Sequence, residues 1–255
     1  MICHKSNLTT KIDMVKLENG ERIEDLQFEG LKIIQNKDLY SFTSDSVILA
    51  NFLKVKSKEI AVEIGAGSGV ISILATKKTR GKKFYAVELQ EKMFDLLEKN
   101  IKLNGLEEKI EAINDNIKNH KKYFESGSVD VVFSNPPYKR EGSCELNENE
   151  SKKIARHEKF LPLATLCDCA CHMLKFGGRF YVVYDADRSC ELISELMKNK
   201  LEPKRMFFTE NGKGKTILVV IEAVKGGKHG VLVYPNLVTN DKSGEYLQKV
   251  KDGVW

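Results

Sequence analysis

Asparagine, two prolines and a tyrosine, Asn135-Pro136-Pro137-Tyr138, are the residues of this chain whose types most narrowly define a chemistry. The run Asp130-Val131-Val132-Phe133-Ser134 leads into them as a strand, so they lie at a strand's carboxyl end, where open α/β sheets gather ligands. Neither proline has an N–H, so the stretch offers carbonyls without competing donors. The side-chain oxygen of Asn135 and the carbonyl of Pro136 make a pair of acceptors for the two hydrogens of a conjugated amine. Such a pair favours a pyramidal nitrogen and stabilises the charge that develops as the nitrogen attacks. Tyr138 can stack on a base, worth ~1–3 kcal/mol, and Pro137 and Lys139 flank the same opening. A plain Pro-Pro turn at a strand end is the bland alternative.

A second cluster, Glu63-Ile64-Gly65-Ala66-Gly67-Ser68-Gly69, stands where a strand gives way to a helix. Glycines there permit a tight turn and close approach of backbone to a ligand at the helix N-terminus. Glu88 ends the next strand, where a carboxylate binds ribose hydroxyls, with Leu89 beside it. Asp115, followed by Asn116, ends the third strand and is placed to meet an adenine amino group. A nicotinamide or flavin site is the main rival, but its pattern requires glycine where this chain has Val70. The acidic Glu63 disfavours a pyrophosphate and suits the ammonium of a methionine moiety.

The elements that must position these residues follow from hydrophobic spacing. A hairpin is expected from Arg22–Leu26 and Leu31–Ile34, turning at Glu29-Gly30, and a helix starts at Thr43-Ser44-Asp45. Strands are predicted at Glu59–Ile64, Lys83–Leu89, Ile110–Ile113, Val129–Phe133, Gly178–Tyr184, Met206–Thr209 and Ile217–Ala223. Helices are predicted at Val70–Lys77, around Met93–Leu103 with a stop at Asn104-Gly105, at Leu163–Leu174 and at Cys190–Lys198. Single helices between strands imply right-handed crossovers and a largely parallel sheet. The last two strands lack an intervening helix, so one should run antiparallel at or near the edge.

Composition sets outer limits. With 42% hydrophobic and 30% charged residues among 255, the chain can bury a sizeable core. Its longest clean apolar run, Ile217–Ile221, is far too short for a bilayer, and Met1–Lys5 shows no secretory signal. Six cysteines without an export signal suit reduced thiols and a cytoplasmic location. Cys167, Cys169 and Cys171 lie near His172 but form no C-x-x-C pair, so they read as buried small hydrophobes and no metal is expected. The net charge of +5 is confined to the last quarter: from residue 198 onward 11 basic residues face 6 acidic ones. That excess is either a solvated face or a phosphate-contacting one.

The glycine loop and acidic strand end resemble those of class I S-adenosylmethionine-dependent methyltransferases. The N-P-P-Y string resembles that of amino methyltransferases, which act on adenine N6, cytosine N4 or glutamine N5. From about Leu26 to Val238 the chain resembles the bacterial tRNA1(Val) (adenine(37)-N6)-methyltransferase family. The matching stretches are Phe42–Phe52, Ile154–Glu158, Leu201–Arg205 and Lys225–Lys228. The resemblance implies an α/β, Rossmann-like class I methyltransferase fold: a mostly parallel seven-stranded sheet, helices on both faces and a small N-terminal hairpin. On this division residues 1–15 are disordered, 16–40 form the hairpin extension, 41–239 the catalytic domain and 240–255 a tail. It further implies S-adenosyl-L-methionine as cofactor, held by Phe42, Ser44, Asp45, Glu63, Gly65, Gly67, Gly69, Glu88, Leu89, Asp115 and Asn116. The partner implied is tRNA, facing Arg156, His157, Arg205, Lys225 and Lys228, with no membrane partner and a monomer or weak dimer. The adenine would be extruded from its stack to reach Asn135, Pro136 and Tyr138. The rivals are a glutamine-N5 protein methyltransferase and a catalytically silent RNA-binding module on the same fold.

Overall fold

Alternation of apolar strands and amphipathic helices produces the expected layers. In the computed structural model, residues 15–138 and 161–239 are described. The expectations for 1–15 (except Val15) and 240–255, and for Lys139, Arg156 and His157, fall outside them. The N-terminal hairpin pairs β1 (Glu21–Asp25) with β2 (Lys32–Asn36) antiparallel, Asp25 opposite Lys32. Helix α1 (Ser44–Phe52) follows, capped by Thr43 in an extended conformation.

The alternation then runs β3 (Ile60–Ile64), α2 (Val70–Lys78), β4 (Lys83–Glu88), α3 (Glu91–Asn104) and β5 (Ile110–Asn114). It continues through a 3-10 turn at Ile117–Lys122 to β6 (Val129–Ser134), α4 (Leu163–Met173) and β7 (Leu174–Asp185). Helix α5 (Ser189–Lys198), β8 (Leu201–Glu210) and β9 (Thr216–Lys225) complete the large elements. Two short strands, β10 (Leu232–Val233) and β11 (Leu237–Val238), add to the seven expected and pair along β8. Gly105 ends α3 with a φ of 63°, the left-handed stop that the Asn-Gly pair announces.

The strand order is β8-β9-β7-β6-β3-β4-β5, parallel from β7 to β5. Strand β9 is antiparallel to both neighbours and lies one place in from β8. Two strands are longer than their hydrophobic runs predict. The register of β8 shifts between Pro203 and Arg205, which lets a proline without an N–H stay in the ladder. Strand β7 begins immediately after α4 and absorbs Gly177, at a φ of 78°. The chain fills β3, β4 and β5 in one direction and then returns to place β6 beside β3. The gap between β3 and β6 is therefore the switch point at which ligands collect.

Apolar residues fill both faces of the sheet. One cluster lies under α1, α2 and α3, the other under α4 and α5. A third cluster packs Ile34 and Leu39 against Met93, Leu96 and Leu103 of α3, and buried amides add polar links between hairpin and glycine loop. The fully buried Asn100 of α3 accepts from Ile34 N (2.6 Å) and donates to Ile34 O (3.1 Å) and Ser68 O (3.0 Å). Asn104 likewise binds Lys32 N and O, so two side-chain amides act as a partner strand for β2. Cys167 and Cys169 are buried in the α4 core, Cys169 against the 3-10 turn through Ile117. No helix among the described residues is long and apolar enough to cross a membrane.

Candidate active site

A cleft of about 890 Å³, counting its open mouth, is cut into the carboxyl ends of β3, β4 and β6. Gly65 and Gly67 line it at φ values of 70° and 55°, and a Cβ on Gly65 would meet nothing within 4 Å, leaving room for a ligand. Gly69 differs. It does not line the cleft; its φ is 85° and a Cβ there would collide with Leu97, so glycine serves close helix packing.

Three carboxylates face the cleft, two with pKa values raised by burial and one held low by its hydrogen-bond donors. Glu63 is 1% exposed and takes both the amide (3.0 Å) and the hydroxyl of Ser72, in the first turn of α2. Burial, only partly offset by those bonds, lifts its pKa to about 8. A buried acid in that condition is matched to an incoming cation. Glu88 accepts from Gly67 N and Gln90 N, both at 2.8 Å, and burial raises its pKa as well. Each oxygen of Glu88 keeps a second lone pair for a hydroxyl donor. Asp115 is tied down by Asn119 (2.6 Å), Tyr123 (2.8 Å) and the Asn116 amide (2.7 Å), which lower its pKa to about 2. Lys122, at 3.4 Å, is its fourth donor and the longest, so an amino group entering at that lip would take the place of the lysine.

The opposite wall is the N-P-P-Y loop. Asn135 and Pro137 line the cleft, and Asn135 Nδ2 donates to Ser46 Oγ of α1 at 3.1 Å. Pro136 and Tyr138 stand behind them. The Tyr138 hydroxyl donates to Asp45 (2.8 Å), its ring meets Tyr184 edge-on at 6.0 Å, and its carbonyl accepts from Arg188 (3.1 Å). Burial first, then the nearby Asp45 charge, raises the Tyr138 pKa, so the phenol stays neutral. Arg188 is itself fixed by Glu191 through two bonds (2.9 and 2.5 Å) and lies over the Tyr184 ring. Two sheet neighbours join below: Ser134 Oγ donates to Ile64 O at 2.8 Å.

Known proteins resemble this chain in sequence and in fold. A family model described as the TRM5/TYW2 methyltransferase domain matches residues 40–141. The tRNA1(Val) (adenine(37)-N6)-methyltransferase of Dyadobacter fermentans is 23% identical over 221 residues, covering 86% of this chain and 90% of that one. A putative protein N5-glutamine methyltransferase of Methanocaldococcus jannaschii is 33% identical over 143 residues, 53% of this chain and 61% of that one. Among solved structures, M. jannaschii TYW2 in complex with AdoMet superposes with a TM-score of 0.53 at 18% identity, covering 82% and 87% of the two chains. The protein is an S-adenosylmethionine-dependent methyltransferase. The resemblance to the tRNA1(Val) family read from the sequence is borne out by several relatives of that name.

The methyltransferase brings most of the expected cofactor residues to one cleft. Phe42, Glu63, Gly65, Gly67, Glu88, Leu89, Asp115 and Asn116 line it, whereas Ser44, Asp45 and Gly69 do not. The substrate-side residues scatter. Arg205 pairs with Glu222 and lies 4.6 Å over the Phe52 ring, so its guanidinium is held inside the sheet layer. Lys225 donates to the carbonyls of Cys171 (2.6 Å) and Leu174 (2.7 Å) at the end of α4. Lys228 is exposed one turn beyond it, at the edge opposite the cleft. Sequence reasoning missed Ser46, Tyr40 and Arg188, the first two of which line the cleft. Ser46 sits within the matching Phe42–Phe52 stretch, but its partner lies 89 residues away.

Proposed function

We propose that this methyltransferase modifies N6 of an adenine in tRNA, adenine 37 of a valine tRNA being the specific target. One observation carries the reading: Asn135 forms the cleft wall with its Nδ2 engaged by Ser46, while no described donor reaches Oδ1. The carboxamide oxygen is thus the group left for an amine. Pro136, between Asn135 and Pro137, adds a backbone carbonyl.

The bound cofactor supplies an electrophilic methyl group on a sulfonium centre. Glu63 would hold its ammonium, Glu88 its ribose hydroxyls and Asp115 its adenine amino group. Asn135 Oδ1 and the Pro136 carbonyl accept the two N–H groups of the target amine. Holding both hydrogens aims the nitrogen lone pair and stabilises the positive charge that builds as that pair is donated. Tyr138 offers its ring to the extruded base, fixed by Asp45, Tyr184 and Arg188. Placement, not a strong base, does most of the work in such a transfer.

A glutamine side-chain amide would satisfy the same two acceptors, and the relative at 33% identity bears that activity in its name. Labelled methyl transfer to total tRNA, DNA and release factor separates the readings. The proposal expects label in tRNA as N6-methyladenosine. Label in release factor alone would overturn it.

A further inference from the structure

The C-terminal quarter contains two glycine–lysine turns, Asn211-Gly212-Lys213-Gly214-Lys215 and Lys225-Gly226-Gly227-Lys228. Strand direction decides which of them shares an edge with the catalytic loop. Strand β9 runs against β7, with Leu218 opposite Asp185 at one end and Val224 opposite Arg179 at the other. Ser134, just before the catalytic loop, pairs with Val182, three residues from the Asp185 end. The turn at 211–215 therefore rises from the same edge as Asn135. The turn at 225–228 rises from the opposite edge, with its first lysine already spent on helix carbonyls.

The turn on the active-site edge is built in advance. Asn211 Oδ1 accepts the amides of Lys213 and Lys215, both at 3.0 Å, and the backbone closes between Asn211 N and Lys215 O (2.9 Å). Gly214 takes a φ of 75° to complete it. Both lysines are exposed, and neither makes an ion pair with another described residue. No acidic residue occurs from Asn211 to Ile221. The nearest carboxylates by strand register are Glu210, which accepts from Asn236, Asp185, which accepts from the Asp187 amide, and the exposed Asp187.

We propose that Lys213 and Lys215 bind backbone phosphates of the RNA strand that presents its base to Asn135. This rests on the tRNA reading above. Strand β8 stands three places from β6, about 14 Å at the usual strand spacing. On the other side, also three places out, β5 leads to Asn116 and Ile117 in the cleft wall and then to the exposed Lys118. A sugar–phosphate chain crossing the strand ends would meet ammonium groups on both sides of the catalytic loop. Contacts of this kind set position and affinity and carry no sequence information.

The test is binding of the full chain to total tRNA across a salt series, with S-adenosylhomocysteine present. Removing one phosphate-binding cation lowers the log–log salt slope by roughly 0.7–0.9. The double variant Lys213→Gln/Lys215→Gln should flatten the slope by about 1–2 and weaken binding severalfold, with cofactor affinity and melting temperature unchanged. A wild-type slope in that variant, or a slope flattened instead in Lys228→Gln, overturns the assignment while leaving the tRNA reading intact. If the unmodified chain shows no salt-dependent tRNA binding, the tRNA reading itself falls, and this surface with it.

Discussion

The two walls of the cleft are built on different plans. The cofactor wall is backbone and short-range: glycines with left-handed φ, amides of Gly67 and Gln90, and carboxylates at the ends of adjacent strands. The catalytic wall is a loop gripped by side chains from elsewhere. Ser46 and Asp45 reach it from α1, 89 and 93 residues away, and Arg188 from the start of α5, 50 residues away. A backbone cradle tolerates change around it, while a loop held by single side chains should fail when any one is removed. Damage to the second wall should therefore lower turnover with cofactor binding intact, and damage to the first should do the reverse.

The largest effect expected is from Asn135→Ala. Removal of one preorganised acceptor should reduce kcat by about 10²–10³-fold, with the cofactor Kd from calorimetry near the wild-type value. Next comes the link between Asp45 and Tyr138. Tyr138→Phe keeps the ring and removes the hydroxyl, and Asp45→Ala removes its acceptor. Each should lower kcat by about tenfold or more, in keeping with a hydrogen bond to a charged group. The double variant should be no worse than either single one, because both break the same bond. Full additivity would show that Asp45 acts on something other than this ring.

Changes on the cofactor wall are smaller and of the opposite kind. Glu88→Ala should weaken cofactor binding by about tenfold, because the ribose hydroxyls have no acceptor and the Gly67 amide is disturbed, with little change in kcat at saturation. The last effect is a pH dependence at Glu63, read from stability and affinity rather than from turnover. Folding lifts its pKa from 4.5 to about 8, so between those values the folded chain holds a proton that the unfolded chain has released. Stability of the ligand-free protein therefore falls as pH rises through that window, seen as a declining melting temperature. Cofactor affinity should move the other way, strengthening as pH rises toward 8, since an ammonium prefers the ionised carboxylate. Glu63→Gln should flatten both trends, leaving in the stability profile only the share of Glu88, whose pKa burial also raises.

Much of this was legible in the sequence because it depended on local pattern. The alternation of apolar runs gave the helices and all seven long strands, and the E-x-G-x-G-x-G loop with Glu88 and Asp115 marked one cleft. Long-range polar contacts were not legible. Asn100 and Asn104 lie within an apparently amphipathic helix, yet they replace a strand partner for β2. Nothing near Ser46 or Arg188 announces a residue of the catalytic loop. The full lengths of β7 and β8 were hidden by Gly177 and Pro203, which chain-level propensities read as breaks and the ladder absorbs through irregular register. The placement of Lys225 and Lys228 had a usable signal, for an antiparallel last strand must carry its carboxyl end away from the edge where its neighbours end.

A structure of the protein with S-adenosylhomocysteine and adenosine, or a tRNA stem-loop, would test the central claim most directly. The target N6 should lie about 2.7–3.2 Å from both Asn135 Oδ1 and the Pro136 carbonyl, with the base against Tyr138. An amine bound elsewhere, or a carboxamide turned with its Nδ2 toward the base, would contradict it.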